Sequence, residues 1–177
     1  VKDVAAADQQ PTAFPTNIPH PASASQNAQF TPPRSSNLRL RKTFADLEKD
    51  QFAHESFDYI ARFFEATLKE LEARNPGIQG VFRPVDANRF TAAVYSQGAI
   101  VSECGIALSD GYGRGSITYS SQASHSGGFN EMLNVECDDQ SMFFKSLMGM
   151  NSRGGEKLSQ EGAAELLWSK LIERLQR

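Results

Sequence analysis

The sequence predicts an α+β domain: a two-layer sandwich in which an antiparallel meander of about five strands is flanked by an N-terminal and a C-terminal helix. Apolar residues recur every three or four positions near both ends of residues 42–177, as in amphipathic helices. Between the two ends they alternate with polar residues in several short stretches, as in strands. No helix-length segment separates those stretches, which excludes parallel crossover connections.

Residues 1–41 are predicted to form a proline-rich linker that is extended or disordered. Six of the eight prolines lie within the first 33 residues, and proline interrupts both helices and central strands. The other residues there are mostly small or polar, so they bury too little apolar surface to offset the entropy of ordering. The chain begins without an initiator methionine or a signal sequence. We therefore expect residues 42–177 to be one domain, tethered to a part that precedes Val1.

Charge and composition exclude several function classes. Residues 1–42 carry a net charge of +3 and the remainder −6. An acidic domain is a poor match for a nucleic acid backbone. No apolar run approaches the ~20 residues of a membrane helix, and two cysteines are too few for a disulfide-rich secreted scaffold. We expect a cytoplasmic protein. The basic residues Arg34, Arg39, Arg41 and Lys42 could contact an acidic partner or simply be solvated.

The first predicted helix runs from about Asp46 to Arg74, and it could break near residues 54–56. Thr43 or Asp46 is expected to cap it. Asn75, in a left-handed conformation, and the following proline are expected to end it. Its apolar stripe consists of Phe57, Ile60, Phe64, Leu68 and Leu71.

The strands follow. They are predicted at residues 89–95, 99–108, 116–120, 132–137 and 141–148, and residues 81–83 could add an edge strand because Pro84 is tolerated at an edge. Gly98 is expected to supply the positive φ of the hairpin turn between the first two.

The second predicted helix closes the chain after Ser159, which is a good N-cap. Its buried stripe consists of Ala164, Leu167, Trp168, Leu171 and Leu175. Two helices on one face of the sheet would leave the other face to solvent or to a partner.

One group of residues is a candidate ligand site. Arg83, Asp86, Asn88 and Arg89 lie close together at a strand–turn–strand junction. The two arginines could clamp an anionic ligand with paired hydrogen bonds. Equally, pairing between arginine and aspartate could simply fix the turn.

Carboxylates supply an alternative, that of a small hydrolase. Glu131, Glu136, Asp138 and Asp139 could act in a cleft against the glycine-rich residues 111–115, although Asp138 and Asp139 also suit a turn. Those glycines precede no helix and are predicted to be a hairpin connection rather than a phosphate loop.

No cofactor or metal site is predicted. The histidines His20, His54 and His125 do not cluster at ligand spacings. Cys104 and Cys137 both fall in predicted strands, and we expect them to be buried, reduced thiols.

Four segments together resemble an accessory C-terminal domain that follows Toll/interleukin-1-receptor (TIR) domains in some bacterial proteins. They are KTFAD at 42–46, FDYIARFFE at 57–65, DANRFTA at 86–92 and LSQEGAAELLW at 158–168. The resemblance covers about residues 42–177. It implies a role in sensing, regulation or assembly beside an effector domain, and many bacterial TIR domains consume NAD in antiphage defence. No TIR catalytic residue is carried over to this sequence.

The sequence thus favours a non-catalytic accessory module of a larger protein, working through ligand sensing, regulation or self-association. Its expected partners are an upstream effector domain in the same polypeptide and a possible second copy. The alternatives are the small hydrolase and a purely structural oligomerisation domain.

Overall fold

The chain folds in the order helix, six strands, helix, as a computed structural model that describes residues 40–109, 115–123, 128–148 and 155–176. Residues 1–39 of the predicted linker, most of the glycine-rich stretch and His125 lie outside these residues. The elements are α1 (Asp46–Arg74), β1 (Ile78–Asp86), β2 (Arg89–Ser96), β3 (Ala99–Ser109), β4 (Ser116–Ser120), β5 (Glu131–Cys137), β6 (Met142–Ser146) and α2 (Gln160–Ile172), which ends in a 3₁₀ turn (Glu173–Leu175). Among the described helices, none combines the length and apolarity needed to cross a membrane.

Helix α1 has the predicted bounds, but its caps differ from those expected. It runs unbroken for 29 residues. The N-cap is Ala45 rather than Thr43 or Asp46, and the Ala45 N–H donates to Glu48 Oε2 at 2.8 Å. Asn75 has a φ of −127° and is not left-handed. Its Nδ2 instead donates to Leu71 O at 2.7 Å, so a carbonyl of the last turn is satisfied by the side chain.

The sheet is an antiparallel meander with the strand order β1-β2-β3-β4-β5-β6. The prediction of about five strands is one short, because the optional edge segment is a full strand of nine residues. The turn between β2 and β3 places both of its residues at positive φ, +51° at Gln97 and +83° at Gly98. This is the geometry of a type I′ hairpin, and the glycine has the predicted role.

Both helices pack on one face of the sheet and bury its large side chains. Phe64 lies at the centre, with ring centroids 5.5 Å from Phe90 of β2 and 5.5 Å from Trp168 of α2. Helix α1 also approaches β1 closely at Gly80, where an added Cβ would lie 2.9 Å from Leu68 Cβ. Ser159 caps α2 as predicted, accepting the Gly162 N–H at 3.1 Å.

The opposite side of the sheet differs between its two halves. On β4, β5 and β6 several side chains that point away from the helices are buried, namely Ser116, Thr118, Ser120, Met132 and Phe143, whereas Asn134, Glu136 and Lys145 are half-buried or exposed. On β1, β2 and β3 the corresponding side chains are half-buried or exposed. We call this second surface the open face. Its side chains are Val81, Arg83, Arg89, Thr91, Ala93, Tyr95, Ile100, Glu103 and Ala107.

At both edge strands of the sheet, some of the outward-facing backbone groups already have hydrogen-bond partners. On β1, the Ile78 N–H donates to Asn75 O at 3.0 Å and the Gly80 N–H donates to Glu72 Oε2 at 3.5 Å. Pro84 has no N–H to offer. On β6, Phe144 and Leu158 exchange two backbone hydrogen bonds of 2.8 and 2.9 Å. Much of the outward hydrogen-bonding capacity at both edges is therefore already used.

Candidate functional site

The predicted arginine–aspartate–asparagine group is divided by the fold. Asp86 Oδ2 lies 2.9 Å from Arg89 Nη2, and Asp86 Oδ1 accepts the Asn88 N–H at 2.9 Å. These bonds hold the β1–β2 turn and lower the pKa of the Asp86 carboxyl, chiefly through Arg89. Arg83 stands apart on the open face, opposite Thr91 in the register. Three of the four residues thus serve the turn, and Arg83 makes no ion pair with any described residue.

The four candidate carboxylates each pair with a different basic side chain, and the partner of Asp139 is Arg41, at 3.4 Å. Glu136 pairs with Lys145, its neighbour across β5 and β6, at 2.7 Å. Asp138 accepts the backbone N–H groups of Gln140 and Ser141, each at 2.8 Å, and forms an ion pair with Lys157 that lowers its pKa. These contacts are those of a turn, as the sequence suggested. Residues 111–114, which the hydrolase alternative places opposite these carboxylates, lie outside the described residues.

Glu131 differs from the other three carboxylates because its side chain is fully buried, on the helix side of the sheet. Its Oε2 lies 3.1 Å from Lys170 Nζ of α2. Its Oε1 accepts the Ser146 hydroxyl and the Met148 N–H, both at 2.9 Å. Burial alone would raise the pKa of Glu131, but these donors outweigh it and lower the pKa. The carboxylate therefore ties α2 to the end of the β5–β6 hairpin.

The cysteines differ in environment. Cys104 is fully buried, as predicted, and burial raises the pKa of its thiol to about 12. Cys137 is exposed, which corrects the prediction of a buried thiol. It is the last residue of β5, beside the Asp138 turn. The alternation of β5 places it on the helix side of the sheet, but the helices do not extend far enough to cover it. Within the described residues, no three histidine, cysteine or acidic side chains group as metal ligands.

A concavity lies where α1 and α2 end, and we call it the interhelical groove. It has a volume of about 460 Å³. Its apolar lining comes from Leu71 of α1, Ile78 of β1, Trp168 and Ile172 of α2, and Leu175 of the 3₁₀ turn. The same side chains are half-buried or nearly buried, so they belong to the core on one side and to the groove on the other.

Polar groups surround this apolar lining and are mostly satisfied within the helices. Arg74 Nε lies 2.6 Å from Glu70 Oε1, and the Thr67 hydroxyl donates to Phe63 O at 2.7 Å. The Asn75 amide is engaged by its own helix end. Because the rim is paired and the floor is apolar, the groove suits a ligand with a substantial apolar body.

Sequence reasoning placed Leu71, Trp168 and Leu175 in the apolar stripes of the two helices but did not find the groove. The stripes predict that these residues face a core. They do not reveal that the stripes extend past the point where the helices cover each other. The length of the two apolar stripes, compared with the strands beneath them, is the sequence signal that could have indicated the groove.

Comparison with known proteins places this arrangement in a family. The model of the Y4lF protein domain matches residues 79–173, from β1 to the end of α2. A protein of Sinorhizobium fredii (strain NBRC 101917 / NGR234) described as "Uncharacterized protein y4lF" is 55% identical over 162 residues, or 86% of this chain and 48% of that protein. The chain thus spans about half the length of this relative, and no solved structure matches it. The chain belongs to the Y4lF domain family.

Proposed function

We propose that this domain is a non-catalytic accessory module of a larger cytoplasmic protein, and that it senses a small ligand bound in the interhelical groove. The ligand is a molecule with an apolar body, such as an aromatic or acyl compound. Binding at the ends of α1 and α2 would stabilise one packing of the helices against each other, which a neighbouring domain could detect.

The groove is the observation that carries this proposal. Its volume of about 460 Å³ falls in the range of small-molecule sites, about 300–1,000 Å³. Its lining includes Trp168, whose ring also packs edge-on against Phe64 in the core. A ligand touching the exposed edge of this ring would therefore act directly on the contact between the helices.

The test uses Trp168 as a reporter, because it is the single tryptophan of the chain. The 177-residue protein is titrated with the apolar probe 1-anilinonaphthalene-8-sulfonate, and energy transfer from Trp168 is measured. We expect saturable transfer in the native protein and binding weakened about tenfold or more by Leu175→Glu, since a charge then enters the apolar lining.

Leu47→Glu is the matched control, because Leu47 is 67% exposed near the start of α1. It should leave probe binding unchanged. If the native protein shows no energy transfer, or if both variants weaken the probe equally, the groove is not a ligand site and the proposal fails.

A finer proposal concerns the larger protein: its effector is a TIR domain that consumes NAD, in a bacterial defence setting, and this module regulates it. Support comes from the resemblance of residues 42–46, 57–65, 86–92 and 158–168 to the domains that follow TIR domains. The relative's greater length leaves room for such a domain.

The full-length gene product tests this finer proposal. We expect its other half to contain a TIR domain and its expression to deplete cellular NAD, with depletion altered by Leu175→Glu. A full-length product without a TIR domain would contradict the finer proposal. The probe titration would still test whether the interhelical groove binds a ligand.

A further inference from the structure

We infer that the open face is the contact surface between two copies of this chain. The inference goes beyond ligand sensing and uses none of the groove residues. It rests on the charges, the small residues and the apolar residues of β1, β2 and β3.

The open face carries one cation and one anion that lack an ion pair among the described residues. Arg83 of β1 is exposed and Glu103 of β3 is half-buried. Among the described residues, Glu103 accepts one long hydrogen bond, of 3.4 Å, from the Ala123 N–H. In the register, Arg83 lies beside Thr91 and Glu103 lies beside Ala93, so two strand spacings and two residues separate them, about 12 Å.

The opposite signs of these two charges allow the open face to be complementary to itself. Consider a two-fold axis in the plane between two facing sheets, passing midway between the two charges and perpendicular to the line that joins them. It brings Arg83 of one copy to Glu103 of the other and the reverse. Two identical ion pairs form at once, as an isologous interface requires.

The residues around the axis permit close approach of the two copies. The midpoint lies on β2 between Thr91 and Ala93, and Gly105 pairs with Thr91 on the neighbouring strand. Their small side chains leave the centre of the face nearly flat. Apolar contact is available from Tyr95 and from Ile100, which is its direct partner in β3 and is 55% exposed.

The size of the open face sets the strength of the contact. Three strands at about 4.8 Å spacing and about seven residues of length give a surface of about 14 by 24 Å. This is about 340 Å² per copy, or about 670 Å² in total, which is below the range of stable specific interfaces. We therefore expect a weak dimer whose population rises with protein concentration.

Sedimentation velocity on the 177-residue chain over a range of concentrations tests the inference. Arg83→Glu and Glu103→Arg should each weaken dimerisation about tenfold or more, because each places like charges opposite each other. The double variant R83E/E103R should restore the dimer to within about threefold of the native value, since it rebuilds both pairs in reverse.

Arg62→Glu is the matched control, because it makes the same charge change on an exposed position of α1, away from the open face. It should leave the dimer unchanged. A native chain that stays monomeric up to about 1 mM, single variants that dimerise normally, or a double variant that fails to restore the dimer would each overturn the inference. Circular dichroism of each variant verifies that it is folded.

Discussion

The two faces of the sheet are built from different side chains, although the same strands contribute to both. On the helix side, β2 presents Phe90, Ala92 and Val94, all nearly or fully buried. On the open face the same strand presents Thr91, Ala93 and Tyr95, all half-buried. The helix side holds the stabilising aromatic cluster, whereas the open face holds charges and small residues that contribute little to folding. The alternation of a single strand therefore separates the stabilising cluster from the surface that we propose for dimerisation.

The largest effect that this comparison predicts is at Phe64. Phe64→Ala should lower the free energy of unfolding by about 3–5 kcal/mol, because it empties the space between Phe90 and Trp168. Tyr95→Ala, an aromatic truncation on the open face, should cost about 1 kcal/mol or less. Urea unfolding measures both. Equal losses would mean that the open face is covered as fully as the helix side.

Next in size is the buried carboxylate on the helix side. Glu131→Gln should cost about 2 kcal/mol at neutral pH, because a charged acceptor of several hydrogen bonds becomes a neutral one. Glu136→Gln, which alters an exposed ion pair, should change stability by less than about 1 kcal/mol. Urea unfolding at pH 7 distinguishes the two positions.

The stabilisation that Glu131 provides should depend on pH, with a sign that follows from its pKa. The pKa of Glu131 is lowered in the folded state, so its stabilisation is complete above its unfolded value, about 4.3, and is lost as pH falls through the folded value. The difference in stability between native protein and Glu131→Gln should therefore shrink below about pH 4. A difference that grows on acidification would contradict the lowered pKa.

A smaller effect is expected where a polar side chain of the sheet reaches a helix. The buried Ser102 hydroxyl donates to Leu171 O of α2 at 2.6 Å. Ser102→Ala should cost about 1 kcal/mol, because the carbonyl loses its donor away from water. Ser96→Ala is the control, since its hydroxyl bonds to no described residue. If chemical denaturation shows equal losses, the bond between sheet and α2 is not stabilising.

The smallest effect on stability is expected at Arg83, and it gives the sharpest test of the difference between the two faces of the sheet. Arg83→Ala on the open face should change the free energy of unfolding by less than about 0.5 kcal/mol. Thermal unfolding at low protein concentration measures this free of any association. A large loss would assign Arg83 to folding and remove it from the list of interaction residues.

Local sequence signals predicted much of the fold. The 3.6-residue periodicity identified α1, the residues at 43–46 indicated its start and Pro76 its end, and the glycine at position 98 identified the β2–β3 turn. Alternation identified the strands. The caps of α1 were wrong because a side chain three residues further on and a hydrogen bond within the last turn satisfied the backbone groups instead.

The candidate sites were harder to predict because they depend on residues distant in sequence. Glu131 alternates in step with Leu133 and Val135, which already indicates the helix side, but its partner Lys170 is on another element. The interhelical groove needs α1, β1 and α2 together. Arg83 and Asp86 looked like one group in the sequence, and the bulge between Pro84 and Asp86 helps to separate their roles.

The protected edges of the sheet bear on how the protein behaves when it is concentrated. An unprotected edge strand recruits further strands without limit, which leads to fibres and precipitates. Here the Glu72 side chain and Pro84 blunt one edge, and the Leu158 backbone occupies part of the other. Removing the first protection, by Glu72→Ala, should make the protein more prone to aggregate at high concentration even where its folding is unaffected.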